Sequence, residues 1–200
     1  MADIDERTTE YLSQKFVDLD CSGRVLTGVT FDDCTFRVCD FSETTLIKCR
    51  FIDCHFFQCN LSVVKINNTR FSDVFFEACK LIGVDWTKGH WSSLAVSSPV
   101  RFSECILNDS SFFGLDMKEM LIETCKAHDV DFREANLAGA SFMHTDLSHS
   151  LFNKTNLAGA NFAEASHYQI DLYANSIKGA RFCRDEAVSL LDCLGIELID

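Results

Sequence analysis

The eleven cysteines of this 200-residue chain are the residues best suited to metal binding or redox chemistry. None of them forms a C-x-x-C pair, and no cysteine–histidine cluster has the spacing of a zinc site. Eight instead recur at multiples of five residues, in two frames that differ by one position: Cys34, Cys39, Cys49, Cys54, Cys59 and Cys79, then Cys105 and Cys125. Because a free cysteine often packs as a small buried hydrophobe, this spacing predicts structural thiols, with no metal and no cofactor.

The six histidines and the candidate nucleophiles form no recognisable catalytic arrangement. The chain has no P-loop, no G-x-S-x-G and no H-E-x-x-H motif. His144 and His149 are one pentapeptide apart, and His167 falls where the repeat described below places an inward side chain. There we expect a local irregularity or a hydrogen-bonded buried imidazole, not a ligand or a base. The sequence therefore predicts a protein that is not an enzyme.

A five-residue repeat must position all of these side chains. Every fifth residue from Leu26 to Trp86 is apolar, and a second frame, one residue out of phase, runs from Phe102 to Phe182 and is interrupted only at His167. A small or β-branched residue usually stands two positions before each of these large ones. Period five fits neither an α-helix nor a flat strand, so it predicts a solenoid in which each unit points one large and one small side chain inward.

The clearest units are Ala135-Asn136-Leu137, Thr145-Asp146-Leu147 and Thr155-Asn156-Leu157. They resemble the A-(D/N)-L-x-x consensus of the pentapeptide repeat family, and the resemblance covers residues 16–182. It implies an all-β solenoid, a right-handed quadrilateral β-helix of about eight coils when successive coils stack at strand spacing. The expected organisation is an N-terminal segment over 1–15, the β-helix over 16–183 with a distorted coil at 87–101, and a C-terminal helix and tail over 184–200.

The interruption contains the only proline of the chain. If that coil holds one extra residue, Trp91 lies between Phe71 and Phe112, and a single aromatic column passes through all three. The segment is then either a tolerated bulge or a wedge presented to a partner through His90, Trp91, Ser98 and Pro99. A cis Ser98–Pro99 bond is compatible with either interpretation.

The segment from Arg184 to Leu194 is typical of a short amphipathic helix, with Asp185 as its N-cap and Gly195 as its stop. Ala187, Leu190, Leu191 and Leu194 fall on one side at α-helical spacing. Such a helix could cap the last coil. We also expect it to form a homodimer interface. The residues predicted for this interface are Leu190, Leu191, Leu194, Ile196 and Leu198.

The formal net charge of −12 disfavours direct binding of nucleic acid, because carboxylates and phosphates repel each other. It is compatible either with an ordinary solvated surface or with a basic protein partner. Positions twenty residues apart should share a face, so Asp33, Asp53 and Asp73 predict a ladder of carboxylates. Arg50 and Arg70 should lie on the same face and offset part of this charge. Asp131 and Glu134 should follow on the same face further along the rod. The complete predicted acidic surface consists of Asp32, Asp33, Asp53, Asp73, Asp131 and Glu134.

Within the family, the segment from Ile177 to Phe182 and the segment 187–200 are most similar to the topoisomerase-protection group. That group includes the Qnr, MfpA and microcin B17 immunity types. Stretches such as Gly83-Val84-Asp85-Trp86-Thr87 are similar to the albicidin-resistance type. The resemblance implies an acidic homodimer that mimics DNA, binds DNA gyrase or topoisomerase IV, and protects it from poisons. Qnr proteins of Gram-negative bacteria carry two loops and this chain has one interruption, so their loop mechanism does not transfer whole.

A generic acidic scaffold that binds some other protein is the alternative function. No apolar run approaches the ~18 residues of a membrane span, and the N-terminus lacks a basic region followed by an apolar core. We therefore expect a cytoplasmic protein without a membrane partner.

Overall fold

The backbone completes one turn through four faces every twenty residues, with successive coils in parallel register, as at Phe31↔Phe51 and Phe51↔Phe71. This computed structural model describes residues 4–5, 7–91, 98–197 and 199. The predicted fold class is confirmed: the chain is a β-solenoid of about eight coils with one short helix. None of the described helices has the length and apolar character needed to cross a membrane.

The strands are short because each face is only five residues long. Four of them line face 1, namely β1 (Glu10–Leu12), β4 (Thr30–Asp32), β7 (Arg50–Ile52) and β9 (Arg70–Ser72). Face 2 carries a six-stranded sheet of β2 (Lys15–Val17), β5 (Thr35–Arg37), β8 (His55–Phe57), β10 (Val74–Glu77), β11 (Val100–Ser103) and β12 (Leu121–Glu123). It continues through β13 (Asn161–Phe162) and β14 (Arg181–Phe182). Face 3 is joined by isolated bridges such as Asp40↔Asn60. Face 4 begins with β3 (Val25–Thr27) and β6 (Thr45–Ile47).

The first coil starts earlier than the sequence predicted. Tyr11 in β1 pairs with Phe31 and stacks on it at 5.2 Å, so the repeat begins before residue 16. Tyr11 carries a phenol in place of the phenylalanine of the later coils, and its hydroxyl accepts a hydrogen bond from the Asp5 amide at 2.8 Å at the end of the rod. The predicted boundary between residues 15 and 16 is therefore wrong.

Stacked rings fill the interior of the N-terminal coils, as the repeat predicts. Phe51 is 1% exposed and stacks at 4.9 Å on Phe31 and at 5.5 Å on Phe71. Rings on adjacent faces meet edge to face, as Phe31 and Phe36 do at 5.3 Å. Both geometries are favourable for aromatic pairs, so the columns are stabilised along the rod and across it.

The small inward position is a hydrogen-bonding site as well as a packing site. The Cys59 thiol donates to the Phe36 carbonyl at 3.4 Å and accepts from the Cys39 amide at 3.4 Å. Thr145 occupies the equivalent place, where its hydroxyl donates to the Ile122 carbonyl at 2.7 Å and accepts from the Cys125 amide at 3.2 Å. All eight predicted cysteines are buried. Burial raises the pKa of the Cys54 thiol to about 12, which keeps that thiol protonated.

The predicted column through the interruption is wrong. Val74 pairs with Val100, a step of 26 residues, so this coil holds six residues beyond the regular twenty. Trp86, not Trp91, stacks on Phe112, at 5.6 Å and an interplanar angle of 10°. Trp91 still stacks on Phe71, at 5.8 Å. Residues 92–97 of the predicted distorted coil lie outside the described residues.

The second residue after each inward centre forms a corner of the coil in the left-handed conformation. Asp33, Asp53 and Asp73 have φ values of 52°, 49° and 51°. Aspartate, asparagine and glycine tolerate this region better than other residues, which favours a carboxylate at a corner.

The last coil departs from the repeat. His167 has a φ of 56° and its side chain is exposed, while Tyr168 takes the interior place at 1% exposure. His167 therefore does not point inward: of the two predicted alternatives, the local irregularity is confirmed and the buried imidazole is wrong. The C-terminal helix spans Glu186–Leu194 and is a 3-10 helix. Gly195 ends it with a φ of 64°, as predicted, whereas the Asp185 side chain makes no capping hydrogen bond.

Candidate interaction surface

The predicted ladder of carboxylates exists on the rod. Asp33, Asp53 and Asp73, hereafter the acidic ladder, occupy the same exposed corner at the edge of face 1 in three successive coils. Successive coils are about 4.8 Å apart, the spacing of neighbouring strands. Asp32 lies beside the ladder in β4 and is partly buried.

Few cations neutralise the acidic ladder. Asp33 accepts a hydrogen bond from the Ser13 hydroxyl at 2.7 Å, and Asp73 lies 4.0 Å from the Arg101 guanidinium. Asp53, between them, has neither an ion pair nor a hydrogen bond to its side chain within the described part of the chain. Like charges directly opposite each other in a sheet repel. The ladder therefore projects a negative field that contacts within the protein neutralise only in part.

The other two predicted acidic residues lie elsewhere. Asp131 and Glu134 flank Phe132, whose ring stacks at 5.4 Å on Phe112 and so belongs to face 4. Placing them on the face of the ladder was wrong, because the six additional residues move the second half of the repeat to another face. Both are compensated by cations. Asp131 lies 2.8 Å from Arg133, whose hydrogen bonds hold the pKa of that carboxyl below its usual value, and Glu134 lies 3.5 Å from Lys154.

Basic side chains line the opposite edge of face 1. Arg50 and Arg70 are in register in β7 and β9, and His90 follows in the next coil, where its amide donates to the Thr69 carbonyl at 2.8 Å. We call Arg50, Arg70 and His90 the basic row. As predicted, both arginines share the face of the acidic ladder. They make no ion pair with it in the described part of the chain, because three residues of extended chain, about 10 Å, separate the two edges.

Three of the four residues predicted to form a wedge hold the interruption in the coil. The Trp91 indole donates to the Trp86 carbonyl at 2.8 Å, and the Ser98 hydroxyl is buried and donates to the Val100 carbonyl at 3.0 Å. The Pro99 carbonyl accepts from the Val74 amide at 2.9 Å, and the Ser98–Pro99 peptide bond is trans. Trp91, Ser98 and Pro99 therefore belong to the wall of the rod.

Face 2 carries an aromatic patch that the sequence analysis missed. The Arg37 guanidinium lies 5.0 Å from the centre of the Phe57 ring. His55 stacks on Phe75 at 5.0 Å, and its ring nitrogen lies 2.9 Å from a Glu77 oxygen. The doublets Phe56-Phe57 and Phe75-Phe76 could have predicted this patch. Adjacent residues of a strand point to opposite faces, so one ring of each doublet must lie on the outside of the rod.

The C-terminal helix presents apolar side chains in two directions. A 3-10 helix superposes residues three apart, so Ala187 and Leu190 face the last coil, where Leu190 is 8% exposed. Val188 and Leu194 lie on a second stripe with Leu191, and they are 48% and 40% exposed. Ile196 follows at 54%, while Leu198 lies outside the described residues. Leu190, one of the residues predicted for the dimer interface, is therefore buried against its own last coil and is not available to a second copy.

One cluster of titratable side chains arises only in three dimensions. Asp146 lies 2.9 Å from ring nitrogens of both His128 and His167, and it accepts a hydrogen bond from the Ser148 hydroxyl at 2.7 Å. The His167 amide also donates to Glu186 at 3.1 Å, which joins the last coil to the C-terminal helix. Within the described ranges no group of His, Cys, Asp or Glu side chains could hold a metal ion. The cluster connects neighbouring elements and has no nucleophile paired with a histidine.

Comparison with known proteins agrees with this architecture. A family model described as a pentapeptide repeat region matches residues 29–98 and 95–162. The chain belongs to the pentapeptide repeat family. No curated protein matches the sequence.

Among solved structures, the chain is similar to QnrB1, described as a plasmid-mediated fluoroquinolone resistance protein. One trypsin-treated form with a point substitution is 19% identical, with 96% of this chain and 98% of that chain covered and a TM-score of 0.56. The full-length form is 18% identical, with 94% and 100% covered and a TM-score of 0.54. At this identity the similarity shows the fold alone.

Proposed function

We propose that the chain is a DNA mimic that binds DNA gyrase or topoisomerase IV in the cytoplasm and protects the enzyme from poisons that trap its cleavage complex. The observation that carries this proposal is the acidic ladder, whose carboxylates are exposed, regularly spaced and largely without cations. A DNA-binding enzyme presents a basic surface shaped for a rod of negative charge. A rigid rod with a row of fixed carboxylates is complementary to such a surface.

The likeness to the topoisomerase-protection group, and the fold shared with a fluoroquinolone resistance protein, support the choice of a topoisomerase as partner. The exposed apolar stripe of the C-terminal helix supports a homodimer, which would double the length of the acidic rod. Albicidin is our first candidate poison, because of the stretches similar to the albicidin-resistance type. Quinolones are the second candidate.

The experiment compares two charge reversals. One variant carries Asp33→Lys, Asp53→Lys and Asp73→Lys. The control carries two reversals, Asp131→Lys and Glu134→Lys, which change carboxylates already paired with Arg133 and Lys154. Each is tested for affinity to gyrase, for competition with DNA, and for rescue of supercoiling in the presence of albicidin or a quinolone.

We expect the ladder variant to lose about tenfold or more in affinity, together with its protection, and the control to lose much less. Binding by the wild type should also weaken with salt, because exposed charges are screened within about 8 Å at physiological ionic strength. The proposal is wrong if the wild-type protein neither competes with DNA for the enzyme nor restores supercoiling with either poison.

The aromatic patch on face 2 favours a second candidate, an acidic scaffold that binds an unrelated protein. Aromatic and arginine side chains are enriched where protein interfaces concentrate their binding energy. Under this alternative, Phe57→Ala with Phe75→Ala abolishes partner binding, whereas the ladder variant binds normally.

A further inference from the structure

The basic row is not explained by the folding of the rod. Arg50 and Arg70 are directly opposite each other in β7 and β9, an arrangement of like charges that is destabilising in a sheet. Both are exposed, and neither forms an ion pair or a side-chain hydrogen bond in the described part of the chain. Lys48 and Lys88 project from the neighbouring corners and extend the cationic edge. Of these two lysines, Lys88 has an acidic partner among the described residues, Asp85, at 3.6 Å.

Face 1 is therefore bipolar in its N-terminal half. Within one coil the chain passes from Arg50 at the start of β7 to Asp53 at the following corner, and the next coil repeats this with Arg70 and Asp73. The basic row and the acidic ladder run parallel along the rod, about 10 Å apart. A uniform DNA mimic would not need the basic row.

The basic row restricts what the partner must present. If the acidic ladder docks on a basic surface, Arg50 and Arg70 are brought into the same interface. Burying these guanidinium groups against further cations would be strongly unfavourable, since a desolvated charge must be paired. The partner therefore has to supply carboxylates beside its basic surface.

Metal-dependent enzymes that cleave DNA possess such an arrangement. They hold divalent cations with carboxylates beside the basic surface that binds the DNA backbone. Resting on the proposed function, we propose that the basic row binds the metal-holding carboxylates of the topoisomerase, so that this protein competes with the enzyme's divalent cation as well as with its DNA.

The test uses full-length protein and DNA gyrase, with affinity measured while Mg²⁺ is raised at constant ionic strength. We expect the affinity of the wild type to fall several-fold as Mg²⁺ fills the carboxylate site. Arg50→Gln with Arg70→Gln should bind more weakly without Mg²⁺ and lose the Mg²⁺ dependence. The control, Lys178→Gln with Arg181→Gln, removes the same charge from exposed positions on the last coil and should behave as the wild type.

A wild-type affinity that does not change with Mg²⁺ overturns this inference, as does a double variant that keeps the wild-type Mg²⁺ dependence. In either case the proposed function stands, because the protein still binds gyrase. Failure of the wild type to bind gyrase with or without Mg²⁺ removes both proposals.

Discussion

Residues in the left-handed conformation form the corners of each coil. Where the corner residue is an aspartate in successive coils, the carboxylates align as a ladder of charge. The exact twenty-residue spacing of Asp33, Asp53 and Asp73 could be read from the sequence, because within an uninterrupted run the period fixes the face. The absence of an ion pair between this ladder and Arg50 or Arg70 could not be read from the sequence, since it depends on which edge of face 1 carries the two arginines. The cluster of His128, Asp146 and His167 also could not be predicted from the sequence, because its members come from three different coils.

Phe51 tests the interior columns at the scale of one side chain. Its ring is stacked from both sides, so Phe51→Ala should create a cavity and lower the free energy of unfolding by about 3–5 kcal/mol. Urea unfolding measures the loss. Phe113→Ala, at a 41% exposed position, is the control and should cost far less. A loss below about 1 kcal/mol for Phe51→Ala would contradict the packed column.

Cys59 tests the hydrogen-bonding role of the small inward position. Cys59→Val keeps the shape but leaves the buried Cys39 amide without its acceptor, and we expect a loss of about 1–3 kcal/mol in the free energy of unfolding. Cys59→Thr retains both a donor and an acceptor and should be less harmful, as Thr145 shows at the equivalent place. Equal stability of the two variants would mean that the position only requires a small side chain.

Asp146 predicts a pH dependence. Burial disfavours its ionised form, but hydrogen bonds from Ser148, His167 and His128 outweigh this and hold its pKa well below the usual value. The resulting stability is present above about pH 4, the range of an unfolded aspartate, and is lost as pH falls through the folded pKa.

Asp146→Asn should therefore be less stable than the wild type at neutral pH, and the difference should shrink in acid. Chemical unfolding of both proteins between neutral pH and acid measures this. Asp129→Asn, at an exposed position with no ion pair among the described residues, should show no such trend. A difference that stays constant with pH would disprove the role of the ionised carboxylate.

Among the elements, the C-terminal helix shows how far sequence reasoning extends. Its position, its glycine stop and its apolar character follow from the residue types. Its 3-10 geometry does not, because residues such as Leu190 and Leu191 satisfy both periods over so short a segment. With three residues per turn, one apolar stripe packs on the last coil and another stays exposed.

The exposed stripe makes a testable prediction about assembly. Burying a leucine or valine contributes about 1.5–3 kcal/mol, so Val188, Leu194 and Ile196 together favour association of two copies. Leu194→Glu should give a folded monomer in sedimentation. Val25→Glu, at an exposed position in the first coil, should remain a dimer. A wild-type protein that is monomeric at micromolar concentration would refute the dimer.

For the molecule as a whole, the sequence shows that the five-residue frame shifts by one position at the interruption, but it does not show how many residues are inserted there. An insertion of one residue and an insertion of six leave the same five-residue frame, so the pattern after Phe102 is compatible with both. The smaller number was the natural choice, and it placed Phe112 on the wrong column and Asp131 on the wrong face. The 26-residue step between Val74 and Val100 shows that six residues are inserted. Each residue of the second half therefore lies one face away from the position expected for an insertion of one residue.

Removing residues 92–97 should restore a regular twenty-residue coil and leave the melting temperature nearly unchanged. Removing Asn67 alone, in an uninterrupted coil, should be severely destabilising, because a slip of one residue moves inward side chains of a strand to the outside. Thermal unfolding of the two deletions measures the contrast. A six-residue deletion as damaging as the single one would show that the segment is needed for the fold.

The 26-residue step also has an evolutionary consequence. Between Trp91 and Ser98 a gene can gain or lose codons without disturbing the coils on either side, provided that the chain re-enters the wall at Ser98. Within an uninterrupted coil, an insertion or deletion that keeps the register must come as a whole coil of twenty residues. We therefore expect an epitope or a fluorescent reporter inserted between Trp91 and Ser98 to disturb the coils less than the same insertion inside an uninterrupted coil.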